Sequence, residues 1–90
     1  MRPLHKLKTL PVFFRESWVN AKTAELRLND QGYEVGDSIQ LREWGVRAGY
    51  TGRWIMAEIT HVVTDQDGPW LAAGHVMLSY VELERGDDSA

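Results

Sequence analysis

Apolar and polar positions alternate along most of this chain, and the alternation predicts strands. In Ser38-Ile39-Gln40-Leu41-Arg42-Glu43-Trp44 the period is two, which assigns Ile39 and Leu41 to the interior and Gln40 and Arg42 to the outside. His5-Lys6-Leu7-Lys8-Thr9 alternates in the same way and reads as a short strand that ends before Pro11. Arg53 to Val63, rich in Ile, Thr and Val, reads as a long bent strand, and Gly74 to Leu83 as the last one. One segment breaks the pattern. Pro11 suits the first turn of a helix, Phe14 and Trp18 lie four apart, and Asn20-Ala21 ends a helix of about ten residues. Asn29 to Gly32, Gly36-Asp37 and Asp65 to Pro69 read as turns, and Gly45 to Gly52, with glycines at 45, 49 and 52, as a connecting loop. Arg85 to Ala90 reads as a frayed tail. The expectation is one α+β domain over residues 1–90, with a core at about 4–84: a small, mostly antiparallel β-barrel with one early helix, closed because closure removes exposed strand edges.

The segment Thr23 to Leu28 adds chemistry to this pattern. On a strand, Glu25 and Arg27 share one face, and Ala24, Leu26 and Leu28 share the other, with Lys22 at the entry to the charged face. A lysine, a carboxylate and a guanidinium converging on one spot offer fixed donors beside an acceptor, which suits a phosphate, a nucleobase edge or a polarised carbonyl. The competing reading is a solvated strand face with an exposed ion pair, worth only ~0–1 kcal/mol. A carboxylate beside a lysine favours the ammonium, so Lys22 reads as a charged ligand-holder before it reads as a general base.

Composition narrows the classes. At 90 residues, 43% hydrophobic and 26% charged, the chain is an ordinary small globule, and it has no cysteine for a disulfide, a thiolate nucleophile or a cysteine-based zinc site. No apolar run approaches the ~20 residues that span a bilayer, and the N-terminus lacks the apolar core of a signal peptide, so no membrane is expected and the location reads as cytoplasmic. The net charge of −3 argues against a general affinity for duplex nucleic acid. Placement qualifies that: Arg2, Lys6, Lys8, Arg15, Lys22 and Arg27 lie in the first third, and Asp65, Asp67, Glu82, Glu84, Asp87 and Asp88 lie in the last.

With these pieces together, His5-x-Leu7-Lys8, Phe14 on a helix, Ala21-Lys22-x-x-Glu25-x-Arg27, Asn29-Asp30, Val35-Gly36-Asp37, Leu41-x-Glu43 and Tyr50-Thr51-Gly52 resemble the ASCH domain family of the PUA-like superfamily. The resemblance spans about residues 4 to 84 and is greatest to a small stand-alone branch in bacteria and their phages. It implies a PUA-like β-barrel with a cleft beside the helix, and binding of RNA or a modified nucleoside. It also places His5 on the first strand beside that cleft. The family's signature reads Gly-x-Lys-x-x-Glu-x-Arg, and Ala21 stands here at its first position. Some single-domain members of the family deacylate acetylated cytidine with a lysine, a threonine and a glutamate. Lys22 matches that lysine, Glu25 stands in place of the threonine, and Gly68 to Met77 offers His75 but no carboxylate.

The expected binding residues are therefore His5, Lys8, Lys22, Glu25, Arg27, Asn29, Trp44, Tyr50, Thr51 and Arg53. Lys22 and Glu25 would be the catalytic pair only if the protein is an enzyme. Trp44 and Tyr50 flank the glycine-rich loop and are candidate stacking surfaces for bases. His5, His61 and His75 fall on separate strands without metal-ligand spacing, so no metal or cofactor is expected. The expected partner is single-stranded RNA, a nucleotide or a modified nucleoside. A hydrolase acting on acylated cytidine, a ribonuclease and a protein-interaction module stand as alternatives.

Overall fold

Ile39 and Leu41 point into the centre of a five-stranded sheet with no measurable exposure, as their alternation predicts. The computed structural model describes residues 3–89. It contains β1 at Leu4–Thr9, α1 at Pro11–Trp18, β2 at Ala24–Leu28, β3 at Ser38–Gly45, β4 at Gly49–Thr64 and β5 at His75–Asp87. The strand order is β1-β3-β4-β5-β2, with β1 parallel to β3 and every other neighbouring pair antiparallel. Arg2 and Ala90, which the sequence reading placed in the basic segment and the tail, lie outside the described residues.

The sheet curls into a half-barrel and does not close. Register shifts between Arg42 and Trp44 on β3, and between Met56 and Ala57 and Ile59 and His61 on β4, bend the long central strands, because an extra residue on one side of a ladder increases local twist. The curl brings the outer strands β1 and β2 face to face without a backbone ladder between them. The expectation of a closed barrel therefore becomes an open seam. Inside the curl, Leu7, Ile39, Leu41, Ile55, Ile59, Val76 and Leu78 form the core, each burial worth roughly 1.5–3 kcal/mol. Helix α1 plugs one end with Phe14, which is fully buried.

Three local readings change. The helix stops at Trp18, because Asn20 takes the left-handed conformation at φ 62° and the amides of Ala21 and Lys22 both donate to the Glu16 carbonyl, at 2.8 and 3.0 Å. The strained position is thus Asn20, a residue that tolerates it, and Ala21 needs no glycine. The stretch 45–52 is not a long loop: Val46, Arg47 and Ala48 make a tight turn, and Gly49 already pairs with Gly45. The last strand runs on through Arg85, Gly86 and Asp87, which pair with Ile55, Trp54 and Arg53. Arg85 also donates to the Trp18 carbonyl at 2.7 Å while its guanidinium lies 4.2 Å from the Trp18 ring. That contact ties the end of α1 to β5.

Candidate functional site

Strand β2 turns its charged face inward. Glu25 is 5% exposed, while Leu26 and Leu28 are 64% and 57% exposed, so the carboxylate and not the leucines faces the half-barrel. A buried carboxylate must find donors, and the end of the half-barrel near α1 supplies them. Lys22 Nζ donates to Glu25 Oε2 at 2.7 Å, and Arg27 Nη2 donates to Oε1 at 3.4 Å. The reading of an exposed surface pair does not hold. Behind this cluster, the Tyr80 hydroxyl donates to the Lys22 carbonyl at 2.8 Å and lies 2.8 Å from the Ser17 hydroxyl, fixing the turn that delivers Lys22. Burial, reinforced by the Glu25 and Glu82 charges, raises the Tyr80 pKa above its ordinary value of 10.0 against the opposing Ser17 bond.

Arg27 spans the seam. Its Nη2 also donates to Thr9 Oγ1 on β1, at 3.3 Å, so one guanidinium bridges the two sheet edges. Hollows open on either side of it. One of about 220 Å³ lies between Thr9, Phe13, Glu25 and Arg27, and another of about 320 Å³ between Lys8, Arg27, Gln31 and Tyr33. A third, of about 340 Å³, is walled by Phe13, Leu26 and Met77, with Lys22 and Glu25 on its polar side. Each is near the lower end of the size that holds a small ligand. The seam therefore offers cations from Lys8, Lys22 and Arg27, the carboxylates of Glu25 and Asp30, and apolar walls.

His5 supports the far end of this seam. It is buried, with Nε2 2.9 Å from Asp37 Oδ2 and Nδ1 3.1 Å from Gln31 Oε1, and its ring lies 4.7 Å from that of Tyr33. Gln31 and Tyr33 line the hollow beyond Arg27, so His5 positions the wall and is not itself part of it. Burial, together with the negative Asp30 nearby, raises the Tyr33 pKa.

Thr51 and Arg53 face inward but away from the seam, where both are bound by Glu43. The buried Glu43 carboxylate accepts from Thr51 Oγ1 at 2.7 Å and from Arg53 Nε and Nη2, each at 2.9 Å. The Arg53 bond, helped by Thr51 and Arg15 and opposed by burial, holds the Glu43 pKa below its ordinary 4.5. Arg53 also lies 5.0 Å from the Trp18 ring. Trp44 and Tyr50 are on the outer surface of the sheet, under Lys8 and Arg42. Asn29 is exposed at the end of β2, its amide bonded to the Gly74 carbonyl at 2.8 Å. Sequence reasoning passed over Thr9, Phe13 and Gln31 and gave Asp37 and Glu43 only as positions of the resemblance. Thr9 was legible as the next inward position after His5 and Leu7; the others act through contacts that no local spacing records.

Among the described residues, no group of three or more His, Asp or Glu is placed to hold a metal ion, and no helix is long and apolar enough to cross a membrane. The fold and site define a curled half-barrel β protein with a polar groove between its free edges. Residues 4–80 match the family described as "Domain of unknown function (DUF3850)", and the chain belongs to that family. It is also similar to the "Uncharacterized 12.9 kDa protein in GpA 3'region" of Escherichia phage P2, at 38% identity over 71 residues. That match covers 79% of this chain and 62% of the phage protein, so the chain spans less than two thirds of that relative.

Proposed function

We propose that this protein is an ASCH-like binding module that holds a nucleotide unit, free or within single-stranded RNA, in the seam between β1 and β2. The carrying observation is the convergence of Lys8, Lys22 and Arg27 on a seam whose buried carboxylate, Glu25, is left with apolar walls beside it. Cations suit a phosphate, the carboxylate accepts from an exocyclic amine or a ribose hydroxyl, and the Phe13 and Leu26 walls suit the face of a base. The resemblance of the Lys22-Glu25-Arg27 motif to the ASCH signature supports the same reading.

Hydrolysis of an acylated cytidine draws less support from the geometry. Lys22 Nζ already donates to Glu25 at 2.7 Å, and an ammonium held in this way is a binding group before it is a base.

Fluorescence anisotropy with labelled nucleotides and short RNAs tests the proposal. Binding should weaken as salt rises, with a slope of about −0.7 per phosphate contacted on a logarithmic plot, and Arg27→Gln should weaken it. Absence of binding at low salt, or full binding by Arg27→Gln, overturns it.

A further inference from the structure

The outer surface of the sheet carries a second charged surface, which meets the seam at Lys8. Lys6 and Lys8 on β1 and Gln40, Arg42 and Trp44 on β3 point outward, and the register sets Arg42 opposite Trp54 and Trp44 opposite Tyr50 on β4. Neighbouring strands are about 4.8 Å apart, so these side chains form a continuous field across three strands. Lys8 Nζ lies 4.3 Å from the centre of the Trp44 ring, and Arg42 Cζ lies 4.1 Å from that of Tyr50. Among the described residues, no ion pair engages Lys6, Lys8 or Arg42. Three cations without an ion pair gather on the β1–β3 side of this face, while its β4–β5 side carries Glu58, Glu84 and Asp88.

The rings decide what such a face would hold. Tyr50 is 47% exposed, with the Arg42 guanidinium over its ring. A guanidinium stacked on a ring presents its second flat side outward, so Arg42 extends the platform that Tyr50 begins. A groove of about 250 Å³ runs between Lys6, Arg42, Tyr50 and Trp54. Its border toward β5 is acidic: Asp88 accepts from Trp54 Nε1 at 3.1 Å, and Glu84 pairs in register with Met56. Positive charge on the β1 side and negative charge on the β5 side give a bound polyanion a defined edge.

We propose that this outer face binds single-stranded nucleic acid, with phosphates along Lys6, Lys8 and Arg42 and bases stacked on Tyr50 and the Arg42 guanidinium. Unpaired bases are required, because a duplex keeps its base faces stacked and offers the patch only phosphate. The patch shares Lys6 and Lys8 with the rim of the seam, whereas Arg42, Trp44 and Tyr50 line none of the hollows there.

The test uses a labelled, unstructured RNA of roughly ten nucleotides and its duplex, titrated between about 50 and 200 mM salt. Tyr50→Leu keeps apolar cover on the sheet and should weaken single-strand binding about tenfold, the effect of losing one stacked base. Arg42→Gln should reduce the salt slope by about 0.7. Both variants should melt close to wild type and bind a mononucleotide as wild type does. Weakening by these variants but not by Arg27→Gln supports the outer face as the RNA site. Weakening by Arg27→Gln alone, equal affinity for the duplex, or equal competition by polyglutamate overturns the outer face.

Discussion

The Lys22 ammonium and the Glu25 carboxylate meet at 2.7 Å across the turn between α1 and β2, with only 6% of the Glu25 side chain exposed. From the sequence, Lys22 reads as a charged ligand-holder. The distances also make it the nearest donor to Glu25, since Arg27 stands at 3.4 Å. Lys22→Ala should therefore lower stability by about 1–3 kcal/mol, because a buried carboxylate loses its nearest donor. Adding Glu25→Gln to that variant should restore part of the loss by removing the uncompensated charge. Urea unfolding of the single and double variants checks this; a Lys22→Ala protein as stable as wild type contradicts the buried pair.

Asn20 gives a second test. Its φ of 62° is reached by glycine at no cost and by a β-branched residue only with strain. Asn20→Gly should leave the melting temperature close to wild type, and Asn20→Val should cost about 1–2 kcal/mol. Thermal melts rank the two; equal loss in both would show that the side chain, and not the backbone, matters there.

Glu43 and Tyr80 set the acid and alkaline limits. The Glu43 pKa is lowered in the folded state, so its contribution is present above the unfolded value of about 4.5 and is lost as pH falls through the lower folded value. Glu43→Gln should be less stable at neutral pH and should lose less on acidification. The Tyr80 pKa is raised, so its contribution is complete below pH 10.0 and is lost as pH rises through the folded value. Tyr80→Phe should flatten the alkaline loss. Stability measured across pH for each variant would reveal an error of sign as a steeper limb.

Arg85 fixes the last strand to the helix. Arg85→Ala removes the bond to the Trp18 carbonyl and the cover over its ring, and should cost about 1–2 kcal/mol. Hydrogen exchange should show the strand end at Arg85–Asp87 opening faster in the variant. Unchanged exchange there would mean that the ladder to β4 suffices.

What the sequence made legible was local. The alternation in β3 located its buried residues, and Pro11 with Phe14 and Trp18 located the helix. The inward turn of Glu25 was not legible, because a strand with charges on one face and leucines on the other satisfies the same period in either orientation. Its resolution depends on Lys22, Arg27 and the polar floor of Ser17 and Tyr80, which only the curled sheet assembles. The tail was misjudged for a related reason: Arg85 to Asp87 look polar and terminal, yet β4 is long enough to offer them a partner. Thr51 and Arg53 were expected to bind a ligand, but their partner Glu43 sits across a bulge, and sequence spacing does not record bulges.

The seam between β1 and β2 is spanned by a side chain and not by a backbone ladder. Its width is therefore set by the reach of Arg27 and the bulk of Phe13 and Leu26, residues that the central ladders do not depend on. Substitution at those positions reshapes the groove while the β3-β4-β5 framework stays fixed. A family built on this plan can vary the shape and charge of its groove by altering a few residues along an unsealed edge, with the fold unchanged.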